Sequence, residues 1–229
     1  MTRPTYVLTG ATAGLGLHVA ARLAARTEAR LIAGARRPER AAALRALVPA
    51  GRLEVLPLDL GTLASVRAFA GQVLADGGGI AGLICNAGLQ LIGPQRQTAD
   101  GVDESFAVNH LGHFALVERL LPALDPGGVV VTIGSGTHNP ADRLARLFGF
   151  RGADFDTAEA VAAGRLSRPA GNRQAGMDRY ATGKLCAILH ALDMAARVPP
   201  EQARFYAFDP GLMPGTDLAR ERSAIERLA

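Results

Sequence analysis

Six short apolar runs alternate along the chain with longer stretches of helical periodicity. The runs fall at 5–9, 30–35, 53–58, 82–85, 129–133 and 204–208, and the helical stretches at 15–26, 38–48, 63–75, 101–124 and 178–197. The runs are continuously apolar rather than alternating in polarity. Strands of that kind are covered on both faces, as in a parallel sheet between layers of helices. Strand–helix alternation predicts βαβ units with right-handed crossovers, hence an α/β, doubly wound parallel sheet with helices on both faces. No internal repeat or low-complexity linker interrupts the pattern, and 229 residues suffice for one well-buried domain spanning 1–229.

Two segments depart from the alternation. Residues 136–178 form a long insertion before the last helical stretch. Leu144, Leu147 and Phe148 are spaced there for one face of a short helix, with Phe155 further on. A segment of that length is either functional or partly disordered. The chain then ends in a polar, helix-like stretch at 217–229.

The balance of 48% hydrophobic and 20% charged residues is that of a globular protein. The formal charge of +4 is spread over scattered arginines, which argues against a nucleic-acid surface and for steering of small anionic ligands. No apolar run approaches the ~20 residues of a membrane span. The N-terminus enters a strand at once rather than a signal peptide, so the expected location is cytoplasmic. Heavy use of Ala, Arg and Gly suggests a GC-rich bacterial genome. Cys85 and Cys186 belong to no CxxC or His/Cys cluster, so two buried free thiols are expected and no metal site. His110 and His113, three apart on a helical stretch with no third ligand, are read as packing or surface groups.

The first run leads into Thr9-Gly10-Ala11-Thr12-Ala13-Gly14-Leu15-Gly16 and then a helix. Glycines serve where a backbone turns sharply and approaches a pyrophosphate, and the helix that follows presents free N–H groups and the positive end of its dipole. The position between a strand and a helix is the context such a turn requires. Gly10, Thr12, Ala13, Gly14, Leu15 and Gly16 are therefore candidate cofactor contacts. At the end of the second run, where NAD enzymes place an acid for the ribose hydroxyl, stand Arg36 and Arg37. An arginine there pairs with a 2′-phosphate, which favours NADPH over NADH.

The last helical stretch carries Tyr180-Ala-Thr-Gly-Lys184. Lys184 is the single lysine; the other 24 of 25 basic residues are arginine. Four residues apart on a helix, the ammonium and the phenol share a face. These segments, together with Asp59-Leu60, Asn86-Ala87-Gly88, Asn109 within Phe106-Ala-Val-Asn-His-Leu-Gly-His-Phe114, Ser135 and Pro210-Gly211, resemble the short-chain dehydrogenase/reductase family over nearly the whole chain. The branch they are most similar to is that of the retinol dehydrogenases and protochlorophyllide reductases.

The resemblance implies a Rossmann-type fold and a set of roles. Asp59 binds the adenine amino group, with the Leu60 backbone nearby. Asn86, Ala87 and Gly88 line the adenosine and its ribose. Asn109, Ser135, Tyr180 and Lys184 form the catalytic tetrad, with Tyr180 and Lys184 also against the cofactor. Pro210, Gly211, Leu212 and Thr216 meet the nicotinamide end. Gly183 departs from the serine common before the lysine, and a glycine there is expected to admit close approach of the cofactor. After the sixth strand the resemblance implies a further helix and edge strand. An insertion before the tyrosine implies a monomer or weak dimer.

A free phenol has a pKa of ~10, and a nearby ammonium lowers it toward the range where general acid catalysis works. The expected activity is NADPH-dependent hydride transfer with a small or medium apolar carbonyl or alcohol. Tyr180 acts as general acid, Ser135 holds the carbonyl oxygen, and Asn109 anchors a water that resupplies protons through Lys184. The alternatives are reduction of a C=C bond and a cofactor-binding sensor or scaffold without turnover. A methyltransferase with a similar sheet would have no use for the Tyr180–Lys184 pair.

Overall fold

The computed structural model describes residues 3–26, 28–211 and 213. Six parallel strands form one sheet: β1 (Thr5–Thr9), β2 (Arg30–Ala35), β3 (Leu53–Pro57), β4 (Ile80–Cys85), β5 (Leu124–Ile133) and β6 (Ala203–Phe208), in the order β3-β2-β1-β4-β5-β6. The helices are α1 (Gly14–Arg26), α2 (Ala42–Leu47), α3 (Leu63–Ala75), α4, α5 (Arg143–Leu147), α6 (Ala158–Ala162) and α7 (Asn172–Arg197). Helix α4 runs as Glu104–Phe106, a π turn at Ala107–Leu111, and Gly112–Leu120.

Successive residues of a strand point to opposite faces. Val7 therefore joins the layer formed with Phe69, Leu116 and Met194 of α3, α4 and α7, while Leu8 joins Ala20 and Leu44 of α1 and α2. Both layers are apolar, which is why the strands read as continuous apolar runs. The chain winds outward from β1 through β3 and returns to β4 on the other side of β1. That reversal leaves a crevice at the carboxyl ends of β1 and β4, the place where a doubly wound sheet binds its ligand.

Several boundaries differ from those expected. Strand β5 begins at Leu124 rather than 129, because Asp125-Pro126-Gly127-Gly128 is absorbed by a register shift opposite Ile80 and Gly82. The stretch 38–48 is divided into a 3₁₀ turn at Pro38–Arg40 and helix α2. Helix α4 starts at Glu104, where the Asp103 carboxylate accepts from the Phe106 N–H at 3.0 Å. Helix α7 starts at Asn172, six residues early, so the end of the expected insertion is helical. A Cβ on Gly176 would lie 2.1 Å from the Leu91 carbonyl oxygen, so the glycine serves close backbone packing.

The remaining insertion is strapped onto α7. Asp178, 1% exposed, accepts from Arg151 and from Gln174 at 2.9 Å. Asp154 accepts from the Ser167 and Arg168 N–H groups, each at 3.1 Å. Arg168 donates to the carbonyls of Gly152 and Ala153, each at 3.0 Å. On α5 the buried residue is Ala145, whereas Leu144 and Leu147 are 50% and 79% exposed. One turn of helix is too short to bury them, and Phe148 and Phe150 take the inner side instead. Asp178→Ala should lower stability by about 1–3 kcal/mol in urea denaturation, less than for a fully buried pair because Arg151 is partly solvated. Limited proteolysis of that variant should cut first within 140–170.

Among the described residues no helix is long and apolar enough to cross a membrane, and no group of three His, Cys, Asp or Glu could hold a metal. Cys85 and Cys186 are free and buried, and burial pushes their thiols up to about 12 and about 11.

Candidate active site

The turn after β1 closes the crevice from one side. Gly10 and Gly14 adopt φ of 67° and 53°, a region that suits glycine. A Cβ on Gly10 would lie 2.7 Å from Ala87 Cα, and one on Gly16 would lie 2.2 Å from the Gly10 carbonyl oxygen. The turn is thus seated directly on the end of β4. Asn86 holds it there, its Nδ2 donating to the Thr9 and Gly10 carbonyls at 3.0 and 3.1 Å. Helix α1 opens at Gly14 with no acid in its first turn, so its positive end is uncompensated by charge. Thr12, Gly14 and Leu15 are half-buried along this edge and Ala13 is exposed. A tight backbone cradle without side chains, at a helix N-terminus, fits a pyrophosphate.

On the other side of β1 from β4, Arg36 and Arg37 are both exposed at the end of β2. After β3, Asp59 accepts from the Gly61 N–H at 2.9 Å through Oδ1, while its own N–H donates to Ser65 Oγ at 2.8 Å. Leu60 is buried against α4: a Cβ on Gly112 would lie 2.4 Å from its carbonyl oxygen. Gly88 continues the β4 end beyond Ala87.

Ser135 follows β5, and α7 brings Lys184 to the end of that strand. Lys184 is 3% exposed and its Nζ donates to the Ile133 carbonyl at 2.8 Å, two residues before Ser135. Nζ lies 5.8 Å from the centroid of the Tyr180 ring. Tyr180 is itself 4% exposed and packs against Phe150, with centroids 6.0 Å apart. Ser135 Oγ accepts from Thr137 Oγ1 at 3.0 Å, which leaves its own proton to donate. His138 Nδ1 lies 2.6 Å from the Ser135 carbonyl oxygen. Burial lowers the Lys184 pKa to about 8, with Asp209 pulling in the opposite direction. Pro210 and Gly211 follow β6, whereas Leu212 and Thr216 lie outside the described residues.

Asn109 is 1% exposed, and its side chain is committed to partners within the protein. Its Oδ1 accepts from the Leu89 N–H at 3.1 Å, and its Nδ2 donates to the Leu89 carbonyl at 2.8 Å and to Ser105 Oγ at 3.2 Å. A Cβ on Gly183 would lie 3.4 Å from Asn109 Cβ. The glycine before the lysine thus faces α4 at ordinary van der Waals distance.

One contact was not foreseen. His113 Nε2 lies 2.9 Å from Thr9 Oγ1, the side chain on which the turn is built. Three residues apart on an α-helix, His110 and His113 should share a face. The π turn separates them. His110 stacks toward Phe106 and Phe114, while His113 turns inward and is 4% exposed.

The short chain dehydrogenase family profile matches residues 4–142, more than half of the chain. The chain belongs to the short-chain dehydrogenase family. It is 43% identical over 141 residues to mouse polyprenol dehydrogenase, covering 58% of this chain and 42% of that protein. It is 41% identical over 126 residues to chloroplastic protochlorophyllide reductase of Chlamydomonas reinhardtii, covering 53% and 32%. Both agree with the branch indicated by the sequence motifs. A crystal structure of a protein from Mycobacterium paratuberculosis superposes with a TM-score of 0.73 at 33% identity, covering 92% of this chain and 69% of that one. The chain spans half or less of the length of these two curated relatives.

Proposed function

We propose that this short-chain dehydrogenase uses NADPH to interconvert a small or medium apolar carbonyl compound and its alcohol, with Tyr180 as general acid and base. The observation that carries the reading is the buried Lys184 ammonium beside Tyr180 at the end of β5, in a sheet whose switch point holds the Gly10–Gly16 cradle. The cradle would hold the pyrophosphate, Asp59 and Asn86 the adenosine end, Arg36 and Arg37 the 2′-phosphate, and Pro210, Gly211, Leu212 and Thr216 the nicotinamide end. The cofactor, when bound, supplies or takes the hydride.

The chain's own residues then handle the proton and the developing charge. Tyr180 gives its phenolic proton to the carbonyl oxygen. The Lys184 ammonium favours the phenolate left behind. Ser135, whose hydroxyl oxygen already accepts from Thr137, directs its proton at the same carbonyl oxygen. The Asn109 side chain is occupied, so its part in resupplying protons through a water runs through its backbone. Ile92, Phe148, Phe150 and Met177 pack around Tyr180 and make its surroundings apolar, which suits an apolar substrate. The identity to protochlorophyllide reductase favours, as a second reading, reduction of a C=C bond with the same proton donor.

The test is a panel of ketones, aldehydes, quinones, retinoids and enones assayed with NADPH and NADH in parallel. Faster oxidation of NADPH with a ketone or aldehyde is expected; turnover confined to enones selects the second reading. Binding of NADPH without turnover of any member would leave a sensor or scaffold. Replacing Arg36 and Arg37 together with alanine should raise the KM for NADPH by about 10–100-fold and leave that for NADH nearly unchanged, since a charge-assisted hydrogen bond contributes about 1.5–3 kcal/mol.

A further inference from the structure

We infer that His113 is a positioning residue for the cofactor turn: through Nε2 it fixes the direction of the Thr9 hydroxyl, and with it the junction of the β1 and β4 ends on which the turn stands. The inference rests on the reading of this crevice as the cofactor site. Thr9 is the last residue of β1 and is completely buried. Its Oγ1 accepts from the N–H groups of both Asn86 and Ala87, each at 3.0 Å. A hydroxyl has two lone pairs and one proton. The two amides fill the lone pairs, so the proton alone remains to be placed. The Ile84 carbonyl offers a contact at 3.4 Å, whereas His113 Nε2 lies at 2.9 Å.

Which way that bond runs follows from the hydroxyl itself. With both lone pairs filled by the Asn86 and Ala87 amides, Oγ1 donates its proton to Nε2, which is therefore the unprotonated ring nitrogen. The histidine thereby sets the hydroxyl, and the hydroxyl clamps Asn86 and Ala87. Burial, and then the Lys184 charge, lower the His113 pKa to about 3, so Nε2 does not become a donor at ordinary pH. The clamp matters for ligand binding because Asn86 in turn holds the carbonyls of Thr9 and Gly10. The clearances around Gly10 and Gly16 leave the turn no slack. A side chain 104 residues away in sequence completes the floor of the cradle.

The test compares His113→Phe, which keeps a ring without an acceptor, His113→Gln, whose Oε1 accepts, and Thr9→Val. NADPH Kd is read by fluorescence titration, alongside thermal unfolding. His113→Phe should raise Kd by about 10-fold, the size of a lost buried hydrogen bond. His113→Gln should recover most of that loss. Thr9→Val should raise Kd similarly, and adding His113→Phe to it should raise Kd little further. If His113→Phe does not fold, the Gln variant binding NADPH like wild type while Thr9→Val binds weakly still supports the role. A lowered Tm with unchanged Kd in His113→Phe, equal losses in Phe and Gln, or additive losses in the double variant overturns this inference alone. Wild-type protein that binds neither NADPH nor NADH overturns it together with the reading beneath it.

Discussion

Tyr180→Phe is expected to lower kcat for carbonyl reduction by about 10²–10⁴-fold, the usual contribution of a positioned general acid, with cofactor affinity almost unchanged. The substitution removes one oxygen and keeps the ring. The ring's packing with Phe150, Met177 and Ile92 is untouched, so the fold should survive. What is lost is the phenolic proton beside the Lys184 ammonium. An interaction made only as charge develops lowers kcat and kcat/KM together and leaves KM nearly constant. Steady-state kinetics with a substrate found in the panel, paired with NADPH titration, separates the outcomes. Loss of cofactor binding in parallel with turnover would assign Tyr180 to binding. Turnover at the wild-type rate would remove it from the chemistry. The same variant also discriminates an enzyme from a sensor, because a protein that only binds NADPH has no turnover to lose.

The residues that the sequence made legible are those whose chemistry is local. Strands β1 and β2 were readable to the residue, because both layers of the core demand unbroken apolar runs there and polar or glycine residues follow at once. The Gly10–Gly16 turn and the Tyr180–Lys184 pair are short-range patterns: the first joins β1 to α1, and the second puts Nζ 5.8 Å from the Tyr180 ring centroid. Less legible were features decided by distant backbone. Strand β5 passes through Pro126 and two glycines because β4 offers a register shift to absorb them. Gly176 and Gly183 look like helix breakers, yet each marks where a long helix meets another segment. His113 is the clearest case. Its role depends on a π turn that rotates it away from His110, and on Thr9 lying across the sheet, neither of which appears in a helical-wheel reading. A hint does exist in the sequence: a second histidine on an otherwise apolar helix face requires a buried partner.

Lys184 yields the second large effect, in stability as well as activity. Burial holds its pKa at about 8 against 10.5 for a free lysine. Between those values the folded state sheds this proton while the unfolded chain keeps it, so stability contributed by this site rises with pH across that window. At pH 7 the folded protein carries the desolvation cost of a buried ammonium, on the order of 3 kcal/mol from the displacement of the pKa. Lys184→Met removes that cost, although it leaves the Ile133 carbonyl without its donor, which returns about 1–3 kcal/mol. The variant should therefore be as stable as wild type at pH 7, or more stable by up to about 2 kcal/mol, while turning over almost no substrate. That difference should shrink or reverse as pH rises from 7 to 10. Lys184→Arg should behave oppositely in stability. A guanidinium stays charged throughout and brings five donors to a site that offers Nζ the Ile133 carbonyl, so the variant should be less stable and show no gain between pH 8 and 10. It should also lose most turnover, because a planar fork cannot take the place of a compact ammonium beside the Tyr180 ring. Urea denaturation of the three proteins at several pH values, with kcat measured alongside, decides the matter. A pH-independent gap between Lys184→Met and wild type would refute the buried charge, and full turnover in Lys184→Arg would refute the role of this lysine in the chemistry.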